Sequence, residues 1–113
     1  MKSWTLRFRA KDKKNFEEVR TGLKEYETRA ATVKYRPIEV GDELIFTCDG
    51  DKFSKVITQK FHWPTIDAMV KEVPFKKIMP SVASLEAMKK AYASYPGYED
   101  KIKQFGLLGF KLK

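Results

Sequence analysis

The sequence predicts a single α+β domain whose strands curl into a small mixed or antiparallel β-barrel flanked by helices. Three observations predict it. Segments of strand period stand near both ends of the chain, a strong hairpin signal lies near the middle, and segments of helical period fall between. At 113 residues the chain has room for one core. Its 42% hydrophobic and 13% aromatic content exceeds that of a disordered basic tail.

From Trp4 to Arg9 apolar and polar residues alternate, with Trp4, Leu6 and Phe8 on one face, which predicts an opening strand. From Asp12 the period lengthens. Phe16, Val19 and Leu23 recur at helical spacing, Asp12 stands where a cap is needed, and Gly22 stands where the helix stops. Glu25 to Ala31 reads as extended, Lys34-Tyr35-Arg36-Pro37 breaks regular structure, and Gly41-Asp42 is a turn. Glu43 to Cys48 reads as a buried strand, Asp49-Gly50 as a hairpin turn, and Lys52 to about His62 as the returning strand. Ile66, Met69, Val70 and Val73 mark one helix, and Leu85, Met88, Lys89 and Tyr92 another, with Pro74, Pro80 and Pro96 as punctuation. Gly106 to Lys113 alternates again, so Leu108, Phe110 and Leu112 are expected in one sheet with Leu6 and Phe8.

Lysine and arginine number 23 against 15 acids, a net charge of +8 that attracts polyanions at low salt. A soluble, lysine-rich surface would show the same excess. Cys48 is the one cysteine and His62 the one histidine, which excludes an internal disulfide and a Cys/His zinc cluster. Cys48 reads as core, and His62, beside Trp63 and Pro64, as a structural residue at a strand end. No stretch approaches the roughly 20 apolar residues that span a bilayer. A monomer in a reducing cytoplasm, without metal or cofactor, is the expectation.

The most informative segment is Gly22-Leu23-Lys24-Glu25-Tyr26-Glu27-Thr28-Arg29, where a glycine helix stop feeds an extended run of alternating charge. On a strand Glu25, Glu27 and Arg29 share one face, which is merely solvated unless it lines a site. A lysine there holds a phosphate as a point charge, or serves as base or nucleophile once its pKa is depressed. A neighbouring Glu27 is expected to keep Lys24 an ammonium, and Arg29 adds a planar fork suited to phosphate or a base edge. Arg7, Arg9, Lys34 and Arg36, with Tyr35 among them, interleave cation and aromatic as single-strand grooves do. Tyr92, Tyr95 and Tyr98 read as packing against the barrel rather than stacking on bases.

The spacing Gly-x-Lys-x-x-Glu-x-Arg resembles the signature of ASCH domains. The order around it, with Gly41-Asp42, the hairpin, the helical insert and Tyr95-Pro96-Gly97 before a final apolar strand, is similar over nearly the whole chain. The resemblance implies a PUA-like barrel with an RNA-binding cleft beside the signature. It also implies kinship with small members that are N4-acetylcytidine amidohydrolases or metal-independent single-strand ribonucleases. Carried over by position, Lys24 matches the catalytic lysine, with Glu27 as a candidate catalytic partner, and Glu27 and Arg29 match cleft-lining positions. This chain departs from the amidohydrolase pattern in having Glu27 where a threonine is expected and Pro80 near the place of a downstream glutamate. Thr28 would point away from Glu27, and Glu72 is only a distant stand-in.

Two functions follow. One is a module binding single-stranded RNA or a nucleotide through Lys24, Glu27 and Arg29, with Arg7, Arg9, Lys34 and Arg36 supplying general attraction. The other is an enzyme, an amidohydrolase on an acylated pyrimidine nucleoside or a ribonuclease, with Lys24 central. A third reading is a protein-interaction domain whose charge only keeps it soluble.

Overall fold

A computed structural model of the chain describes all 113 residues. Strand β1 (Ser3–Phe8) leads through a single 3-10 turn (Ala10–Asp12) into helix α1 (Lys13–Thr21), followed by β2 (Tyr26–Ala30), β3 (Glu43–Cys48) and β4 (Asp51–Trp63). Helices α2 (Ile66–Glu72), α3 (Phe75–Ile78), α4 (Leu85–Ser94) and α5 (Tyr98–Phe105) then precede β5 (Leu107–Leu112). The predicted hairpin forms as β3 and β4. Asp49 and Gly50 have φ of 53° and 82°, the paired left-handed residues of a two-residue turn, which explains the Asp-Gly dipeptide. Asp12 stands at the start of α1 but its carboxylate bonds Arg9 rather than the helix amides.

The five strands form one mixed sheet in the order β1-β3-β4-β5-β2, with β1 parallel to β3 and the other pairs antiparallel. β4 is long enough to pair with β3 through its first half and β5 through its second, and a register shift between Ile57 and Gln59 bends it where the partner changes. The sheet therefore curls into a half-barrel, and β1 and β2 remain its two unpaired edges.

Inside the curl, Leu6, Phe46, Leu108 and Phe110 pack with Phe16 and Val19 of α1, so both terminal strands do serve one core. Phe8 and Leu112 pack against its margin. A second cluster lies under the helical insert, where Met69, Ile78, Met88, Tyr92 and Ile102 meet Tyr26, Trp63 and Leu107. The insert is ordered by its caps, since Thr65 and Ser84 accept from the amides of Ala68 and Ala87. It holds two helices, α3 and α5, that periodicity does not reveal, one being four residues long and the other starting at Tyr98 right after Pro96-Gly97. No helix is long and apolar enough to cross a membrane.

Candidate functional site

α1 ends at Gly22, whose φ of 86° only glycine adopts without strain, and the chain reverses there. The Lys24 amide then donates to the Glu18 carbonyl and the Glu25 amide to the Lys77 carbonyl, so the residues leading into β2 are clamped between α1 and α3. Pairing with β5 continues the strand and fixes which side chains face inward. Lys24, Glu27 and Arg29 converge as a result. Lys24 Nζ donates to the Ile78 carbonyl at 2.5 Å and lies 3.5 Å from Glu27 Oε1, and Glu27 Oε2 accepts from Arg29 Nη2 at 3.0 Å. Lys24 and Glu27 are 7% and 4% exposed, whereas Glu25 sits outside this group and pairs loosely with Lys77.

Aromatic rings hold the group in place. The Arg29 guanidinium lies over Phe8 and Tyr35, with ring centroids 5.5 and 5.6 Å away. On the other face of β2, Thr28 points away from Glu27 as expected, and its hydroxyl meets that of Tyr92 at 2.5 Å. Behind Lys24, the buried Glu18 carboxylate accepts from the Ser81 hydroxyl through one oxygen, and its other oxygen, Oε1, has no partner.

These residues line a cavity of about 290 Å³ that opens in the gap between the edge strands β1 and β2. Its floor is Lys24, Glu27 and Arg29. Phe8, Tyr92, Tyr95 and Tyr98 wall it, and Arg7, Arg9, Asp12 and Asn15 also contribute to the lining. The volume is at the low end for small-molecule pockets and suits one ring system with a small substituent.

Burial pushes the Lys24 amine below its usual pKa. Glu27 opposes that shift and Arg29 reinforces it, so the carboxylate does not hold the ammonium as charge alone predicts. This corrects the expectation from sequence, where burial is invisible. For Arg29 burial also acts against the charge, but Glu27, Tyr98 and Tyr35 outweigh it and the guanidinium is held more firmly charged. Burial raises Tyr92, Tyr95 and Tyr98, which stay neutral phenols. Glu27 Oε1 takes the Thr28 amide besides Lys24, and Oε2 takes Arg29, so the floor presents mainly donors to an incoming ligand. No group of three or more His, Cys, Asp or Glu side chains is placed to hold a metal ion.

Arg7 and Arg9 belong to the pocket, but Lys34, Tyr35 and Arg36 do not line it. The Lys34 ammonium rests over the Tyr35 ring, Tyr35 supports Arg29 from outside the cavity, and Arg36 donates to the Ala31 carbonyl and stacks on Phe105. The alternation of cation and aromatic there braces a turn. Glu72 is no stand-in for a catalytic carboxylate, because it accepts from the Trp63 indole away from the pocket. Conversely, Tyr92, Tyr95 and Tyr98 line the pocket as well as packing, and Asp12, Asn15 and Met79 join them without any sequence signal. The one hint was Tyr95-Pro96-Gly97, a turn that sets Tyr95 and Tyr98 edge to face at 5.5 Å.

No protein-family model matches the chain, and no curated protein matches it. Among solved structures, the crystal structure of hypothetical protein PH0355 superposes with a TM-score of 0.85 at 22% identity, covering 98% of this chain and 97% of that one. The solution structure of protein PF0455 from Pyrococcus furiosus superposes with a TM-score of 0.77 at 20% identity, covering 98% and 96%. At that identity the likeness establishes a shared fold over the full chain, a small α+β domain with a curled five-stranded sheet.

Proposed function

We propose that the pocket binds one nucleobase unit, of single-stranded RNA or of a free nucleoside or nucleotide, in a cytoplasmic monomer of the ASCH type. The observation that carries this reading is the convergence of Lys24, Glu27 and Arg29 on the floor of a cavity of about 290 Å³ walled by Phe8, Tyr92, Tyr95 and Tyr98. A planar base meets aromatic surface on its faces and donors at its edge, and stacking alone contributes about 1 to 3 kcal/mol per base. The spacing Gly22-x-Lys24-x-x-Glu27-x-Arg29, similar to the ASCH signature, supports the same reading. Calorimetric titration with cytidine, uridine and adenosine tests it. Saturable binding that Arg29→Ala weakens is expected, and no heat with any of them at millimolar concentration overturns it.

The lowered pKa of Lys24 favours a second reading, hydrolysis of an acylated pyrimidine nucleoside. A lysine whose burial makes it lose its proton more readily than usual supplies a base or nucleophile, and arginine cannot replace it. Release of acetate from N4-acetylcytidine, abolished in both Lys24→Ala and Lys24→Arg, is the expected result. Wild-type protein that yields no product above background refutes this activity, and Lys24→Arg then retains most nucleoside affinity.

A further inference from the structure

We infer that the mouth of the pocket is a phosphate subsite built by Arg7 and Arg9 on the free edge of β1, so that the ligand held there is a nucleotide rather than a nucleoside. The inference rests on the nucleobase reading above and names the ligand more narrowly. The lining carries four cationic side chains, Arg7, Arg9, Lys24 and Arg29, against the carboxylates of Asp12 and Glu27. The inner cations are tied up, because Lys24 and Arg29 both hold Glu27 and Lys24 also donates to the Ile78 carbonyl. At the mouth Arg9 pairs with Asp12 at 2.7 Å, and Arg7 enters no ion pair at all. The one cation of the pocket with no ion-pair partner, Arg7, is therefore at its opening.

Strand geometry adds backbone donors at the same place. The Lys2 carbonyl accepts from the Glu43 amide, so in this parallel pair the even-numbered residues of β1 turn their peptide groups toward β3. Arg7 consequently turns its N–H and C=O toward the open edge, where the cavity lies. Arg9 follows in extended conformation, with φ of −69° and ψ of 153°, and its carbonyl accepts from the Asp12 amide and the Cys48 thiol, so the free strand amide is that of Arg7. Two guanidinium groups two residues apart, with an unpaired strand amide beside them, suit a phosphate, whose oxygens accept from both kinds of donor. With the base on the floor donors and between the tyrosines, a phosphate one sugar away falls toward the rim. Lys34 and Arg36, away from the pocket, have no part in this subsite.

The test titrates wild type and the Arg7→Gln/Arg9→Gln double variant with cytidine, cytidine 5′-monophosphate, inorganic phosphate and an oligocytidine lacking terminal phosphates. Both arginines are exposed and outside the core, so the double variant keeps its fold, which its melting curve verifies. The monophosphate should bind wild type about tenfold to a hundredfold more tightly than cytidine, and the variant should bind the two alike. Equal affinities in wild type, or a preference that survives in the variant, overturn the subsite. Arginine-dependent binding of phosphate without any binding of cytidine supports the subsite and removes the nucleobase reading. Failure of phosphate and monophosphate with retained cytidine binding does the reverse. A preference extending to the oligocytidine assigns the phosphate to an RNA chain, and one confined to the monophosphate assigns it to a free nucleotide.

Discussion

Two arginines of this protein make nearly the same contacts in very different surroundings. Arg20 of α1 lies over Phe16 and Phe53, with centroids 5.2 and 5.4 Å away, and pairs with Glu17 and Asp51. Arg29 of β2 lies over Phe8 and Tyr35 and pairs with Glu27, which also faces Lys24. The side chain of Arg20 is 37% exposed and that of Arg29 is 17%, and their carboxylate partners differ more, Asp51 at 46% against Glu27 at 5%. Water screens the first cluster, so its geometry is replaceable. The second has lost its hydration, and its charges depend on one another. A protein seeking only to complete its core would fill these positions with apolar side chains, as it does with Phe46 and with Phe110, the cross-strand partner of Glu27. The buried charges lower stability and hold donors at fixed positions on a cavity floor, which is the arrangement a binding site needs.

The strongest way to break this contrast is Glu27→Ala. It removes the carboxylate that lies between Lys24 and Arg29 in a buried site, leaving only Glu18 behind Lys24, and should cost about 3 to 5 kcal/mol, read by chemical denaturation. A loss below about 1 kcal/mol would mean that water already reaches the cluster, and the distinction between the two arginines would fall.

Lys24→Met tests the same point through pH. The folded pKa of Lys24 is lowered, so below it both folded and unfolded chains carry the proton. Between it and the unfolded value of about 10.4 only the unfolded chain does. Stability of the wild type should therefore rise with pH across that window and level off above it. The Met variant should lack this contribution, so the difference between the two curves isolates Lys24. Parallel curves would show that Lys24 titrates normally. Asp42 runs the other way. Its carboxylate accepts from the Lys2 and Glu39 amides and the Trp4 indole, which depress it to about 2. The stability it contributes is complete above an unfolded pKa of about 3.9 and is lost as pH falls through about 2, and Asp42→Asn should remove that part of the acid limb.

How much of this was legible follows from the range of the interactions involved. The β3–β4 hairpin was legible because its signal is local, two dipeptide positions between alternating strands. Lys24, Glu27 and Arg29 were legible as a group because all three lie within one short segment. Tyr92, Tyr95 and Tyr98 were not legible as pocket residues, because what brings them there is contact with β2 some 64 residues earlier in the chain, as between Thr28 and Tyr92. Lys34 to Arg36 misled for the converse reason. Their local pattern of cations and rings is real, but Arg36 uses it on the nearby Ala31 carbonyl and on Phe105, which is distant in sequence. The protonation of Lys24 depends on burial, which no local pattern reports.

Tyr92→Phe probes the join between strand and insert with a smaller effect. It removes one hydroxyl and leaves that of Thr28 buried without its partner, for a loss of about 1 to 2 kcal/mol. Thr28→Val in the Tyr92→Phe background should recover part of it, because both polar groups are then gone. A double variant no better than the single one would show that the pair does not act as a unit.

The smallest effect belongs to the exposed cluster. Arg20 and Asp51 hold the end of α1 against the start of β4, and the arginine depresses the Asp51 carboxyl through a hydrogen bond between exposed side chains. Asp51→Asn keeps the size and a hydrogen-bonding oxygen but removes the charge. Its melting temperature should fall only slightly at low ionic strength and match wild type in 1 M salt, where the Debye length is about 3 Å. Glu27→Ala under the same two conditions should stay destabilised in both, since ions do not reach a carboxylate 5% exposed. Salt dependence that was alike for the two variants would place both arginines in one dielectric environment, and burial would then have no part in what separates them.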